Sequence, residues 1–412
     1  MADSNVRDEF YEAPMGVNKT AVGAHVQTYF PLTSNIINGV ASGQVVFEIN
    51  TGSGEYLDLK KSHLRLEYTT DAVAATSSYG DCPLSNMFSR GQLYVNGKKV
   101  AASQNWTQDA ILSKRISHSK AYNNSVNRIT YNNVAAALPV FTDGPVVAVI
   151  NTRYIDDEYL DALFLQHDGA IIPPNCSVRL LVDVDTAYAL KSGLLNCAAA
   201  VAPGMVINTL KFISYTVVKP GPPPPEYVLS LITLNSFLST ITGANENRQY
   251  QVSPTIVKAA VASQDLGFAT VLNPKLAAGN LLQYLGDNNP IAPGVGMTGL
   301  DFKLNNIVIP NSRWDFTYGY RDAYLNYIAE SGGLSNDAAK ETQQEWERYG
   351  KIHLCNIVKP DGDKSNSLQI NASFAAAPLA NTRLFVTSFE ENAVVFTYDA
   401  TSGALIDTQT MI

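Results

Sequence analysis

Short runs in which apolar and polar residues alternate recur along the whole chain. Alternation with a period of two puts one set of side chains on a core and the other in solvent, which is typical of half-buried β-strands. Gly, Asn, Asp or Pro bounds most runs, and β-branched and aromatic residues fill them. The clearest runs are 45–49, 64–68, 91–95, 178–182, 210–215, 255–257, 302–304, 368–370, 384–387 and 394–398. Many short strands separated by turns predict packed β-sheets of the sandwich type.

Helical patterns occupy few segments. The strongest covers 335–349, with Ser-Asn-Asp as candidate cap residues in front and Gly350 behind. Two weaker patterns cover 106–117 and 322–330. The chain is therefore predicted to be all-β, with short helices in the loops.

A proline run divides the chain. Residues 220–225 contain five prolines, which fix φ and remove backbone donors, so neither a helix nor a central strand can cross them. Such a run forms a stiff, extended spacer. It predicts a first β-domain over 30–219 and a second over 226–412, with an N-terminal arm over 1–29.

The two halves also resemble each other. Three pairs of segments match in the same order along the chain: 93–100 with 302–309, 108–112 with 321–325, and 208–212 with 381–385. The first pair reads as strand, Asn-Gly or Asn-Asn turn, strand, and a Trp follows each (Trp106 and Trp314). Asn and Gly tolerate the positive φ that a tight hairpin turn needs. The order of the matches indicates that one β-domain has been duplicated.

Composition narrows the function. Only 16% of the 412 residues are charged, against about 25% in average soluble proteins, and the net charge is −8. This argues against a chain that wraps nucleic acid by itself, because phosphate binding needs clustered Lys and Arg. The N-terminus lacks the pattern of a signal peptide, and no apolar run reaches the roughly 20 residues of a membrane span.

Residues that could carry chemistry are scattered. The four cysteines (Cys82, Cys176, Cys197 and Cys355) are far apart, which predicts buried free thiols. The five histidines show no metal-binding spacing, and no nucleophile or phosphate-loop motif occurs. We therefore predict no enzyme, no cofactor, and no catalytic, cofactor-binding or metal-binding residue.

Four segments give weak signals. Residues 294–299 fit G-x-G-x-x-G but precede an apparent strand, so a loop is preferred to a dinucleotide site. Residues 361–366 begin like a calcium loop but lack its Gly and Glu positions, so a polar turn is preferred. The acidic residues 156–158 with Asp161 predict a solvated loop, with a cation site as the alternative. The basic cluster Lys114, Arg115, His118 and Lys120 predicts a solvated or subunit-facing surface rather than a nucleic-acid contact.

Several landmarks in combination resemble one protein family. They are 53–66, with Tyr-Leu-Asp-Leu before a strand; 84–98, with Phe-Ser and an Asn-Gly hairpin; 172–180, with Ile-Pro-Pro before a strand; and 289–290, 302–310 and 320–324 in the second half. In this order they resemble the double jelly-roll major capsid proteins of DNA viruses. The nearest group is the hexon-like proteins of Polinton (Maverick) elements and adintoviruses, in the lineage of adenovirus hexon.

The resemblance implies two tandem eight-stranded jelly-roll sandwiches. It also implies a structural function: three chains would form a pseudo-hexagonal capsomer that tiles an icosahedral shell. The implied partners are other copies of the chain, neighbouring capsomers, and penton and minor capsid proteins, and the implied location is the virion. The aromatic segment 314–327 is a candidate for subunit contact, with core packing as the equal alternative.

Two other functions fit the residues. A tandem β-sandwich that binds carbohydrate or protein would have an aromatic-lined groove. A glycosidase on a sandwich scaffold would have an acidic cleft with perturbed carboxylates.

Overall fold

The computed structural model describes most of the chain. The described residues are 23–32, 43–70, 77–79, 85, 88–127, 153–165, 170–184, 195–197, 205–264, 297–332, 340–349, 351–357, 366–375 and 383–411. Within these ranges no helix is long and apolar enough to cross a bilayer.

Two antiparallel sheets form a first sandwich from the part of the chain before the proline run. Its strands are β1 (Gly23–Tyr29), β2 (Gly43–Asn50), β3 (Glu55–Asp58), β4 (His63–Thr70), β5 (Ser77–Tyr79), β6 (Phe88–Val95), β7 (Lys98–Ser103), β8 (Arg153–Tyr159), β9 (Ile171–Ile172), β10 (Ser177–Val184), β11 (Leu195–Cys197) and β12 (Met205–Val218). Sheet A has the order β8-β4-β12-β3-β9, with β1 on the other edge of β12, and sheet B has the order β2-β10-β6-β7. The short strands β5 and β11 pair separately. Alternate residues of both sheets meet in one apolar core, where Phe47 of sheet B lies against Phe212 of sheet A.

The part after the proline run forms a second sandwich. Its strands are β13 (Glu226–Thr240), β14 (Asn245–Val252), β15 (Ile256–Gln264), β16 (Met297–Leu304), β17 (Ile307–Asp315), β18 (His353–Asn356), β19 (Asn366–Phe374), β20 (Arg383–Tyr398) and β21 (Leu405–Met411). Sheet C has the order β13-β20-β15-β18, with β21 also on β20, and sheet D has the order β14-β19-β16-β17. The runs 384–387 and 394–398, which the pattern separates, belong to the single long strand β20.

The two sandwiches repeat one topology. Sheet B matches sheet D strand for strand, and β1-β12-β4-β8 matches β13-β20-β15-β18 in chain order. Each sandwich therefore contains the two four-stranded sheets of a jelly roll, with extra short strands in the first and the extra strand β21 in the second. The matched segments 93–100 and 302–309 are the equivalent hairpins β6–β7 and β16–β17.

The hairpin turns have the backbone that their residues predict. Asn96 and Gly97 have φ of 49° and 76°, and Asn305 and Asn306 have φ of 50° and 69°. Two successive positive values define the turn whose twist suits a hairpin. The Asn side chain also ties each turn to the start of a neighbouring strand, because Asn96 Oδ1 accepts from the Ser177 N–H at 2.8 Å. Asn305 Oδ1 accepts from the Ser367 N–H at 2.9 Å in the same way.

Four α-helices lie in the described connections. They are α1 (Trp106–Ser117), α2 (Lys120–Ser125), α3 (Arg321–Glu330) and α4 (Gln343–Tyr349). The two weaker patterns match α1 and α3. The strongest pattern, 335–349, is wrong for residues 340–342, which precede the helix, while 333–339 lie outside the described residues. A capping box explains the late start, because the Thr342 hydroxyl accepts from the Glu345 N–H and the Glu345 carboxylate accepts from the Thr342 N–H.

The proline run packs against the second sandwich. Its Pro225 carbonyl accepts from the Tyr398 N–H at 2.8 Å, and Pro223 is buried. At the other end of the first domain, β1 lies within the segment predicted as an arm. It pairs with β12 along its whole length, from Gly23 opposite Val218 to Tyr29 opposite Phe212. Residues 23–29 are thus part of sheet A.

Candidate interaction surfaces

Helix α1 lies between the two sandwiches. Eleven of its twelve residues are buried, including charged ones. Trp106 and Ala110 belong to the core of the first sandwich, whereas Ile111, Leu112 and Ile116 belong to the core of the second. One helix thus contributes to both cores.

The start of α1 is anchored in the first sandwich by Trp106. This side chain is fully buried and meets Phe88 edge to face, with ring centroids 5.4 Å apart. A Cβ atom on Gly91 would lie 2.1 Å from the indole ring, so only glycine allows β6 to pass this close. The indole N–H donates to Glu158 Oε1 at 3.3 Å.

Lys114 lies deeper, beside the same carboxylate. Its ammonium group donates to Glu158 Oε2 and, at 2.7 Å, to the Ser85 hydroxyl, and both charged side chains are 2% exposed. Burial raises the pKa of Glu158, and the charge of Lys114 opposes that rise. The pair is a buried structural link between α1 and β8.

Arg115 crosses from the first sandwich to the second. Its Nη2 lies 2.6 Å from Glu341 Oε1, and the two side chains are 0% and 1% exposed. The Tyr327 hydroxyl donates to the same carboxylate oxygen at 3.0 Å. Burial, and then the nearby Glu341 charge, raise the pKa of Tyr327, so it stays a neutral donor.

Two lysines complete this contact. Lys340 donates to the carbonyls of Ile116 and His118 at 2.6 and 2.7 Å, at the C-terminal end of α1, where a cation is favoured. Burial lowers the pKa of Lys340 to about 8. Lys120 contacts both carboxylate oxygens of Glu345, at 2.6 and 2.7 Å. Arg115, Lys120, Lys340, Glu341 and Glu345 are called the inter-sandwich ion cluster below.

The prediction of a solvated or subunit-facing surface is therefore wrong for Lys114 and Arg115, which are buried within the chain. Lys114, Arg115 and Lys120 pair with carboxylates, and His118 Nε2 lies 3.1 Å from Asp161 Oδ1. The helix pattern alone could not reveal this, because two of the partner carboxylates are more than 200 residues away. The side chains of Lys114 and Arg115 are 2% and 0% exposed and are engaged with carboxylates.

The acidic segment is also not a solvated loop. Residues 156–158 lie in β8, and Asp161 lies in the 3₁₀ turn Leu160–Ala162 that follows. Asp157 holds Arg65 through two bonds of 2.7 and 2.8 Å, and Glu158 holds Lys114. Among the described residues, no group of three or more His, Cys, Asp or Glu is placed to hold a metal.

Asp109 is a buried acid at the boundary of the two sandwiches. Its Oδ2 accepts from the hydroxyls of Ser103 at 2.6 Å and Ser236 at 3.1 Å. Ser236 belongs to β13 of the second sandwich and also accepts from the Asn105 amide at 3.0 Å. Burial raises the pKa of Asp109 from 3.8 to about 7.

Strand β13 provides the other side of the contact. The Leu165 N–H donates to the Ile232 carbonyl at 2.8 Å, and Phe164 forms an isolated bridge with Thr233. Residues 164–165 of the first sandwich thus cover the edge of β13 that does not pair with β20. The ends of β13 and β20 also add apolar side chains to the core of the first sandwich: Leu229, Leu231, Val394, Phe396 and Tyr398.

The outer surface carries exposed apolar side chains. Among the described residues, the large ones with substantial exposure are Val26, Phe30, Leu32, Val126, Ile155, Val228, Ile307, Tyr318, Leu325 and Ile406. Three of these, Val26, Phe30 and Leu32, lie on β1 or just after it, and the five central residues of β1 are all exposed. Another three lie on β17, on α3 or between them. In the aromatic segment 314–327, Phe316, Ala323 and Tyr327 are core residues, whereas Tyr318 is 97% exposed.

The remaining sequence signals are the cysteines, the histidines and two motif-like segments. Cys176 and Cys355 are buried free thiols, as predicted, and burial raises the pKa of Cys355 to about 12. In the G-x-G-x-x-G segment, residues 297–299 are part of β16, so no helix N-terminus follows it. Residues 358–365, which include most of the calcium-like segment, lie outside the described residues, and so do Cys82 and His167, one of the five histidines.

Comparison with known proteins identifies the fold. No protein-family model and no curated protein sequence matches the chain. Solved structures do match over nearly the whole chain. The structure of the Sputnik virophage matches with a TM-score of 0.63 and 12% identity, covering 96% of this chain and 89% of that one.

Two further structures agree. The PBCV-1 virus capsid gives a TM-score of 0.54 at 12% identity, covering 95% of this chain and 98% of that one. The mavirus major capsid protein gives 0.52 at 14% identity, covering 97% and 94%. At such identities the likeness concerns the fold, and it confirms the predicted double jelly roll. Membership of the Polinton or adenovirus hexon branch stays a prediction.

Proposed function

We propose that this chain is a major capsid protein, a structural subunit of a virus shell. The observation that carries the proposal is the full-length match to double jelly-roll capsid structures, which covers both sandwiches and their connection. The resemblance of the sequence landmarks supports it independently. We propose two domains joined by the linker at 220–225: a first domain that includes β1 and ends at 219, and a second at 226–412. We also propose a location in the virion.

The finer proposal is that three chains form a pseudo-hexagonal capsomer. Two sandwiches of one topology give six similar units in a trimer, and six units can close a ring. The buried contact around α1 supports this, because it fixes one sandwich against the other within the chain. Neighbouring capsomers and penton and minor capsid proteins are the proposed further partners, and we propose no catalytic, cofactor or nucleic-acid site.

Light scattering and negative-stain microscopy of the purified protein test the proposal. We expect a mass of three chains of 44.6 kDa, about 134 kDa, and particles of hexagonal outline. A protein that stays at the mass of one chain at high concentration would contradict the capsomer. Hydrolysis of a glycan panel by the same preparation would instead favour the glycosidase, and saturable glycan binding by a monomer would favour the binding module.

A further inference from the structure

The internal repeat indicates which surfaces of two copies meet, an inference that rests on the proposed trimer. Within the chain, the first sandwich presents α1 and β7, and the second presents β13. Each of these elements has a counterpart in the other sandwich: α3 and β17 correspond to α1 and β7, and β1 corresponds to β13. In the chain, α1 and β13 are covered by each other's sandwich, whereas β1 and α3 are exposed.

The exposed apolar side chains concentrate on these counterparts. Val26, Phe30 and Leu32 lie on or just after β1, and they are 62–65% exposed. On the second sandwich, Ile307 of β17 is 61% exposed and Leu325 of α3 is 47% exposed. With Tyr318, six of the ten large exposed apolar residues in the described part of the chain are thus on two surfaces. Grouped apolar exposure of this kind marks interaction sites.

Strand β1 also has an open edge. Among the described residues it pairs only with β12, and its five central side chains are exposed on both faces. Its counterpart β13 has the corresponding edge covered by residues 164–165 of the other sandwich. An uncovered edge strand is a template for pairing unless another chain covers it.

We propose that β1 of one copy docks against α3 and β17 of the next copy, repeating between chains the contact that β13 makes with α1 and β7 within the chain. The occupant of each surface is a second copy of this protein. The contact between chains then alternates around the ring with the contact within the chain. Every sandwich therefore meets one neighbour through its helix surface and the other through its first strand.

The repeat gives this contact a residue register. Gln27 lies opposite Ser214 in β12, and Ser236 lies opposite Thr387 in β20. The matched segments 208–212 and 381–385 align Ser214 with Thr387, so Gln27 takes the place of Ser236.

On the other surface, the matched segments 108–112 and 321–325 align Asp109 with Asp322. The bond between Ser236 and Asp109, 3.1 Å within the chain, therefore predicts proximity of Gln27 and Asp322 between chains. Both residues are exposed in the single chain.

Cross-linking tests the register. A double variant Gln27→Cys/Asp322→Cys is treated with a short bis-maleimide and run on a denaturing gel, with each single variant as control. We expect covalent species of two and three chains from the double variant and single chains from both controls. A protein that has the mass of three chains in solution, but whose double variant cross-links no more than the single variants, would overturn the docking inference and leave the trimer standing.

Surface substitutions give a second readout. Val26→Arg and Leu325→Arg should shift the mass in light scattering from three chains to one. Ile406→Arg is the matched control, because Ile406 is 65% exposed like Val26 but lies on β21, outside both surfaces. We expect it to leave the trimer intact. Trimers that persist in Val26→Arg and Leu325→Arg would overturn the inference, and a wild-type protein of one-chain mass would overturn the proposed function itself.

Discussion

Helices α1 and α3 occupy the same place in the two sandwiches and have opposite surroundings. Each follows the equivalent hairpin, yet α1 is buried along eleven of its twelve residues, whereas α3 buries only Ala323 and Tyr327. The difference comes from the neighbours, because the second sandwich covers α1, whereas no described residue of the chain covers the outer side of α3. A duplicated element thus shows which of its surfaces is used inside the chain and which is free for another copy.

The largest expected loss of stability comes from breaking the inter-sandwich ion cluster. Arg115→Met leaves the Glu341 carboxylate buried without its cation, and we expect a loss of about 3–5 kcal/mol in the free energy of unfolding. Urea unfolding, monitored by tryptophan fluorescence, measures this loss. Arg179→Met is the control, because Arg179 and Glu48 form an exposed pair worth less than about 1 kcal/mol.

The second half of this test removes both charges. Arg115→Met combined with Glu341→Leu should recover most of the loss, because an apolar pair needs no charge partner. If Arg115→Met were as mild as Arg179→Met, α1 would not be held as described.

The next prediction compares the loss of stability at two glycines on equivalent strands, Gly91 on β6 and Gly299 on β16. At Gly91 a Cβ would meet the buried Trp106 ring at 2.1 Å, so Gly91→Ala should cost at least about 1–3 kcal/mol. At Gly299 it would meet the Arg313 guanidinium at 2.8 Å, and that side chain is 52% exposed and can move away. We therefore expect Gly299→Ala to change stability by less than about 1 kcal/mol. Equal thermal shifts for the two variants would contradict the packing around α1.

Protonation of Asp109 gives an effect that depends on pH. Its pKa is raised from 3.8 in the unfolded chain to about 7, so between these values the folded protein keeps a proton that the unfolded chain has lost. The free energy of unfolding should therefore fall as pH rises from about 4 to about 7. Asp109→Asn is neutral throughout and lacks this contribution.

The measurement is urea unfolding of both proteins at about pH 5 and about pH 8. The stability of the wild type relative to Asp109→Asn should be greater at the lower pH. A difference that does not change between the two pH values would mean that Asp109 does not titrate in this range.

The smallest effect concerns the two hairpin turns. Replacing Asn96 or Asn305 by Gly keeps the positive φ and removes the side-chain bonds, so each variant should lose about 1 kcal/mol. The turns differ in the partners of the amide group: the Asn96 amide donates to Thr408 of the second sandwich and to Cys176, whereas the Asn305 amide donates to Asn366. Urea unfolding of Thr408→Val should show a small loss from the bond between Thr408 and Asn96 alone, and no change would mean that it adds no stability.

Local features of the fold could be predicted from the sequence. The Asn-Gly and Asn-Asn turns and the alternation around them specify hairpins through interactions within a few residues, and helices α1 and α3 follow the predicted ranges. The internal repeat then indicated two copies of one topology. Strand order came from the family resemblance, because pairings such as Gly23 with Val218 join residues that the local pattern cannot connect.

The interaction surfaces were mostly beyond prediction. Lys114 and Arg115 form a charged pair of neighbours that is typical of a solvated helix face. They are buried because Glu158 and Glu341 come from distant parts of the chain. The residues just before α4 also pair over long distances, since Glu341 holds Arg115 and Lys340 donates to carbonyls at the end of α1. Long-range charge pairing overrides the local pattern at these positions.

The central claim is that two equivalent sandwiches per chain make six equivalent positions in a trimer. Electron microscopy of the purified protein tests it most directly, by class averages viewed along the symmetry axis. We expect a closed ring of six similar lobes, with three chains per particle. Single two-lobed particles, or three chains joined without a six-lobed ring, would contradict the account.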